Sequence, residues 1–158
     1  MTAAHTRPQG RQRQVGKVYA SITITNSADE VRLADGLIRA DQVRRITLDR
    51  ILVDTGANTL CLPKSLVERL GLPVRQEAYA ATAAGLIAIT VHRGAEIELL
   101  GRSGTFDCVA LSDEAEPLLG LLPLETMGLE LDLQQETLRA LPDGPTPQTF
   151  WTIYLART

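Results

Sequence analysis

The residues with the clearest capacity for chemistry are Ile51-Leu52-Val53-Asp54-Thr55-Gly56-Ala57. Three apolar residues carry a strand inward and end on an acid, followed by a hydroxyl, a glycine and a small residue. That order delivers a carboxylate to the floor of a cleft on a tight turn that hydrogen-bonds to itself. Such a carboxylate can hydrolyse an amide without a metal or a covalent nucleophile, provided a second carboxylate shares its proton. Like charges a few ångströms apart do not both ionise easily, so one acid stays protonated. The charged one takes a proton from water, and the neutral one donates to the carbonyl oxygen. Gly56 permits the turn and brings an N–H toward the carboxylates. The Thr55 hydroxyl can brace the turn across a two-fold axis, and Ala57 is small enough to admit a peptide alongside. The pattern occurs once: neither Asp132 nor Asp143 sits between an apolar residue and a Thr/Ser-Gly pair. A dyad therefore requires a second copy of the chain, in an isologous C2 pair with the site on the axis.

The elements that must position this turn are mostly strands. In Lys17 to Thr25, Val18, Ala20, Ile22 and Ile24 share one face and Tyr19, Ser21, Thr23 and Thr25 the other, the pattern of a half-buried strand. Asn26 to Asp29 reads as a turn, and the charge-rich residues 30–45 as a loop with short strand pieces. Ile46 to Val53 is the strand entering the acid turn, and Thr59 to Leu62 resumes extended structure. Pro63 to Leu70 reads as a short helix with proline at its start and Gly71 as a left-handed stop. Tyr79 to Val91 reads as a hairpin with the small-residue tip Ala83-Ala84-Gly85, where glycine can take positive φ. Ala95 to Leu100 and Thr105 to Leu111 read as further strands. Leu118-Leu119-Gly120 precedes a helix from about Pro123 to Met127, stopped by Gly128. Leu129, Leu131 and Leu133 alternate in a late strand, and Leu138 to Leu141 supplies another.

The 158 residues fit one domain with a real core. Residues 1–15 have nothing to bury and read as a disordered N-terminal arm. Residues 16–141 form the domain, and 142–158 a linker and an apolar C-terminal segment. Within that segment Phe150 to Leu155 is too apolar for a free tail and should dock on its own domain or on a partner. Apolar residues are 44% and charged residues 22%, as in soluble globular proteins. A net charge of −3 gives no electrostatic case for nucleic acid or an acidic membrane surface. The longest apolar run is far below the roughly 18 residues that span a bilayer, and no charged-then-apolar leader opens the chain. Cys61 and Cys108 make neither a disulfide framework nor a metal quartet. Read as buried free thiols, they place the protein in a reducing cytoplasm.

Val53-Asp54-Thr55-Gly56-Ala57, with Leu60-Cys61-Leu62-Pro63 after it, resembles a retropepsin-type aspartic protease. Pro117-Leu118-Leu119-Gly120, followed by a short helix and Gly128-Leu129-Glu130-Leu131-Asp132, is similar to the hydrophobic-hydrophobic-Gly motif and helix of that fold. The order of strand, acid loop, hairpin and Leu-Leu-Gly matches from about Lys17 to Leu141. The likeness is greatest to small stand-alone prokaryotic proteases, whose chains open with a strand like Gly16-Lys17-Val18-Tyr19. The resemblance implies a mostly β fold, a closed β-barrel with one or two short helices, working as a homodimer. It implies an aspartic endopeptidase acting on a peptide or protein substrate, with no metal or organic cofactor. Asp54, Thr55 and Gly56 would be the catalytic loop: Asp54 the acid, Thr55 the source of interlocking hydroxyl contacts between loops, Gly56 a backbone contact. Ala57 and Asn58 would line the substrate, and Thr82, Ala83, Ala84 and Gly85 would form the flap that closes over it. Leu118, Leu119 and Gly120 would support the acid loop from beneath.

The chain departs from that family at several points. Asn58 stands where retroviral enzymes usually carry an acid. The flap has alanines in place of several glycines, the segment 26–45 is longer and more charged, and Phe150 to Leu155 lies outside the resemblance. Retropepsin dimers are commonly held by terminal strands, so this tail is expected to add a strand or a hydrophobic clasp at the dimer interface. A non-catalytic peptide-binding or dimerisation module of the same fold is the rival reading, and the intact Asp54-Thr55-Gly56 favours the enzyme. The phosphate loop of actin-like ATPases needs two large domains, which 158 residues do not supply. The haloacid-type phosphatase needs a second acid where Gly56 stands. His5 and His92 make no metal site alone, and His92 reads as a surface or edge residue. Ser65 and Ser112 lack a spaced histidine and acid. Asp113, Glu114 and Glu116 read as a solvated loop.

Overall fold

Strand β1 (Val18–Asn26) buries Val18, Ile22 and Ile24 and exposes Ser21, the face read from the alternation. The structure, a computed structural model, describes residues 16–142. The arm 1–15 and nearly all of the linker and apolar tail lie outside the described residues. β1 pairs antiparallel with β2 (Arg45–Val53), which runs straight into the acid turn. β3 (Leu60–Pro63) leaves that turn, and helix α2 (Lys64–Leu70) follows at once. Gly71 ends α2 in the left-handed region, at φ 62° and ψ 31°, as its position after the last apolar residue predicted.

Between β1 and β2 the structure corrects the sequence reading. Residues Ser27–Ala34 form helix α1, and Ala40–Gln42 a single 3₁₀ turn, in place of a turn and a loop with strand pieces. Asn26 is the reason. Its side-chain oxygen accepts the N–H of Asp29 at 3.1 Å, an N-cap, and acids Asp29 and Glu30 fall in the first turn where the helix dipole favours them. The same side chain donates to the carbonyls of Leu70 (2.8 Å) and Gly71 (3.3 Å), so one buried amide joins the start of α1 to the end of α2. With α3 (Leu121–Thr126) the described residues hold three short α-helices, one more than expected.

The hairpin is longer than expected. β4 (Val74–Thr82) pairs along its length with residues 85–92 of β5 (Gly85–Leu99), and the strand expected separately at Ala95 is the second half of β5. A bulge between His92 and Ala95, with Gly94 at φ +80°, bends β5. Before the bend β5 pairs with β4; after it, Ala95 to Glu98 pair with Asn26 to Thr23 of β1. β6 (Arg102–Leu111) lies along both halves. His92 is therefore on an interior strand, with Nδ1 2.8 Å from the Leu72 carbonyl oxygen, and not at an edge. The strand order is β1-β2-β7-β3-β6-β5-β4, where β7 is Leu118–Leu119, and the extra β5–β1 pairing returns the ladder to its first strand. β8 (Leu129–Asp132) and β9 (Thr137–Ala140) form a separate two-stranded sheet. The protein is mostly β, with Ile22, Ile24, Ile51, Leu60, Leu62, Leu70, Ile97 and Leu119 fully buried at its centre.

Two polar features fix this framework. Asp29 is 2% exposed. It accepts the Arg44 backbone N–H and Nε on Oδ2 (3.0 and 2.8 Å), and Arg44 Nη2 and Arg32 Nη1 on Oδ1 (3.0 and 2.9 Å). The Arg44 guanidinium holds the carboxyl of Asp29 well below the usual carboxylate range. The acidic run is not wholly solvated either: Asp113 Oδ1 accepts the N–H of Ser65 at 2.8 Å, in the first turn of α2, and that bond lowers its pKa.

The insertion of β7 is the tightest point. Gly120, just after it, has ordinary extended backbone angles, so its requirement is space: a Cβ there would lie 2.6 Å from Ala57 O, Thr59 N and Thr59 O. Backbone atoms cannot give way as a side chain can. Gly120→Ala should cost at least about 3 kcal/mol or abolish folding, measured by urea unfolding. Asp29→Asn should cost roughly 2–4 kcal/mol, toward the lower end because Arg32 and Arg44 are about half exposed. In the parent, a depressed folded-state pKa means that this stability is present above the ordinary carboxylate pKa of about 4. It is lost as pH falls below that value, and the variant should show a flatter stability profile over that acid range.

Candidate active site

β2 and β3 are the two arms of the acid turn, and β7 lies between them. Leu52 and Val53 pair in parallel with Leu118 and Leu119, while Leu60 and Cys61 pair antiparallel with Leu119 and Leu118. A two-residue strand thus fills the gap between arms that would otherwise carry unpaired backbone groups in the core. The Asp54 N–H donates to Leu119 O (3.0 Å) and the Leu52 N–H to Pro117 O (3.2 Å). Beyond β7, Gly120 donates to Thr59 O (3.0 Å), Leu121 to Ala57 O (2.9 Å) and Leu122 to Asn58 O (2.9 Å). The Thr59 hydroxyl donates to Asp107 O on β6 at 2.7 Å.

Within the turn, the Gly56 N–H donates to Asp54 Oδ1 at 2.9 Å and the Ala57 N–H to Asp54 O at 3.1 Å. The carboxylate is half-buried, and Thr55, Gly56 and Asn58 are exposed. Asp54 also acts on its surroundings: burial first, and then its charge, push the half-buried Cys61 thiol up. Burial, with the neighbouring Cys61 second, pushes Cys108 up to about 12. Both cysteines are free, and both are held as thiols.

Asp54, Thr55, Gly56, Ala57 and Asn58 therefore form one braced loop. Thr82 to Gly85 are elsewhere, at the tip of the β4–β5 hairpin. There the Thr82 hydroxyl donates to Gly85 O (2.8 Å) and accepts the Ala84 N–H (3.2 Å), and Gly85 takes φ +112°. The tip is exposed, and among the described residues no hydrogen bond joins it to the acid loop. A single chain brings the acid loop together but leaves the tip apart from it.

The structure adds residues that the sequence did not single out. A hollow of about 320 Å³ opens beside Asp54 and Thr55, walled by Val18, Leu52, Val53, Leu131 and Leu133, with Lys17 at its margin. Alternation had marked Leu131 and Leu133 as a strand face, but periodicity does not say what a face meets. A larger groove of about 550 Å³ lies between α2, the hairpin base and the end of β6, and holds His92 and Ser112. Among the described residues, no group of three or more His, Cys, Asp or Glu side chains is arranged to hold a metal ion. No helix among them is long and apolar enough to cross a membrane.

Among curated proteins, none matches the chain. Residues 49–126 match the family model described as gag-polyprotein putative aspartyl protease. The matched stretch runs from within β2 through the acid turn, the hairpin and β7 to the end of α3, so it contains the acid loop and the segments hydrogen-bonded to it. A retropepsin-like aspartyl protease domain thus covers residues 49–126 of the chain.

Proposed function

We propose that the chain is an aspartic endopeptidase that works as a homodimer, with water activated between the Asp54 carboxylates of two protomers. The observation that carries this reading is the form of the Asp54 turn. Its backbone is held by Leu119 O, and one carboxylate oxygen is engaged by the Gly56 N–H. The half-buried carboxylate keeps its other oxygen for water or for a second carboxylate. The family match supports protease chemistry, and the single acid turn in the sequence supports two chains per site.

The step balances with no further reagent. The ionised Asp54 takes a proton from water as the water oxygen bonds to the peptide carbon. The protonated Asp54 of the other protomer gives its proton to the carbonyl oxygen. Collapse of the tetrahedral species breaks the C–N bond, returns that proton to a carboxylate and passes the other to the leaving amine. Neither a metal nor an organic cofactor enters. Thr55 hydroxyls brace the two loops against each other. Gly56, Ala57 and Asn58 offer backbone and small side-chain surface to an extended substrate. The tip Thr82 to Gly85 acts as the flap, pairing with the substrate as an added strand and excluding water. The return of the sheet ladder from β5 to β1 supports reading the framework as a closed, barrel-like half-site. Two free thiols fit a reducing cytoplasm.

Asp54→Asn should lower peptide cleavage by about 10³-fold or more while leaving the unfolding midpoint and the dimer intact. Turnover by the purified variant at the parent rate would sink the assignment. Deletion of residues 143–158 should weaken dimerisation by at least about tenfold if the apolar run clasps the interface. Sedimentation velocity over a concentration series reads this directly, and unchanged affinity removes the tail from the interface. A parent chain that stays monomeric even with substrate contradicts the two-protomer mechanism.

A further inference from the structure

We propose that Lys17 makes this site prefer substrates with an acidic side chain near the cut, an inference that rests on the endopeptidase reading above. The hollow beside Asp54 has apolar walls, and among the described residues Asp54 and Lys17 are the charged ones lining it. Lys17 is exposed, and among the described residues no ion pair reaches it. The Glu136 carboxylate is packed over the neighbouring Gly16, and no ion pair joins it to Lys17. Several other cations of the described chain are engaged: Arg32 and Arg44 with Asp29, Arg45 with Glu30, Arg75 with Asp107, Arg139 with Glu130. Lys17 is thus a cation left unneutralised beside the reacting carboxylate.

Its surroundings give that charge leverage. The protein as a whole carries −3, so its overall field does not draw acidic peptides, and any preference for them has to be local. The lysine stem can lie along Val18 and Leu52 with the ammonium at the rim of the hollow, where apolar walls reduce solvent screening. In the proposed dimer the proton-sharing pair holds one negative charge and two copies of Lys17 flank it, so the residues that line the two hollows sum to a net positive charge. An extended peptide advances about 3.3 Å per residue and a lysine side chain reaches about twice that, so the ammonium meets side chains within about three residues of the cut. A glutamate or aspartate there gains an ion pair; a lysine or arginine is repelled.

The test is cleavage of a defined peptide mixture in which one position at a time, over three residues on each side of a central apolar pair, is Glu, Gln or Lys. Cuts are read by mass spectrometry, and cuts also made by Asp54→Asn protein are subtracted. The parent should favour Glu over Lys by about three- to tenfold at one or more positions. The preference should shrink in high salt, persist in Lys17→Arg and reverse in Lys17→Glu, with unfolding midpoints confirming that each variant is folded. Asp54-dependent cleavage with no Glu preference, or with a preference unchanged in Lys17→Glu, overturns the role of Lys17 and leaves the protease reading standing. Absence of any Asp54-dependent cleavage overturns both.

Discussion

The constraint on which the rest of the molecule depends is the threading of two residues, Leu118 and Leu119, between the arms of the acid turn. β2 and β3 diverge on either side of Asp54 and would each expose a row of backbone donors and acceptors in the core. β7 satisfies both rows, parallel to one arm and antiparallel to the other. Because the Asp54 N–H bonds to the Leu119 carbonyl, the carboxylate is positioned by a segment more than sixty residues away in sequence. The close contact at Gly120 follows from the same geometry. The strand must leave directly against the carbonyls and amides of Ala57 and Thr59, and a hydrogen is the only substituent that fits. An acid on an ordinary loop would be free to turn away from a partner carboxylate. This one is held by backbone bonds on both flanks, the rigidity that a proton-sharing pair needs.

A second brace lies outside the stretch matched by the family model. Asn26, Asp29 and Arg44 join the end of β1, the start of α1, the start of β2 and the end of α2. A buried carboxylate of this kind is costly to desolvate and is tolerated because every lone pair finds a donor. Its position suggests what it does for the site. β2 enters at Arg45, one residue after Arg44, and leaves at Asp54; fixing the first end of that strand fixes the register that delivers the acid at the other. The Arg44 guanidinium also packs over Gly71, where no side chain would fit, so the helix stop and the ion pair are mutually dependent.

Much of this was legible in the sequence because it depends on local pattern. Alternation marked β1, proline and glycine bracketed α2, and the tip of the hairpin was set by small residues ending in Gly85. What was not legible depends on partners. Val31 and Leu33 are the large apolar residues of 27–34 and stand two apart, so α1 gave no helical stripe; its cap, Asn26, looks like a turn signal until its other bonds to Leu70 and Gly71 are seen. Asp113 reads as solvated until the chain brings Ser65 to it. The fusion of two expected strands into β5 turns on the bulge between His92 and Ala95, where Gly94 bends the strand without ending it. At the site, the string Asp54-Thr55-Gly56 was legible as a tight acid turn, whereas Lys17 and Leu133 needed the fold to bring them beside it.

The contrast between the acid loop and the hairpin tip carries the last step. The loop from Asp54 to Thr59 is bound to β7, α3 and β6, while among the described residues the hydrogen bonds of the Thr82 hydroxyl stay within the tip and Tyr79 and Leu86 stand largely exposed. Apolar side chains exposed on a two-stranded arm cost solvation, and a segment with so few tertiary contacts opens at low free energy. Both properties suit a part whose contacts are completed only when something lies beneath it. On the proposed reading, a bound peptide and the second protomer supply what the single chain lacks on that face. The same absence of self-contained closure appears at Asp54, a carboxylate held ready with one partner oxygen uncommitted. On that reading two independent features of one chain, a single acid turn and an exposed hairpin tip, have the same explanation: a functional unit larger than the chain.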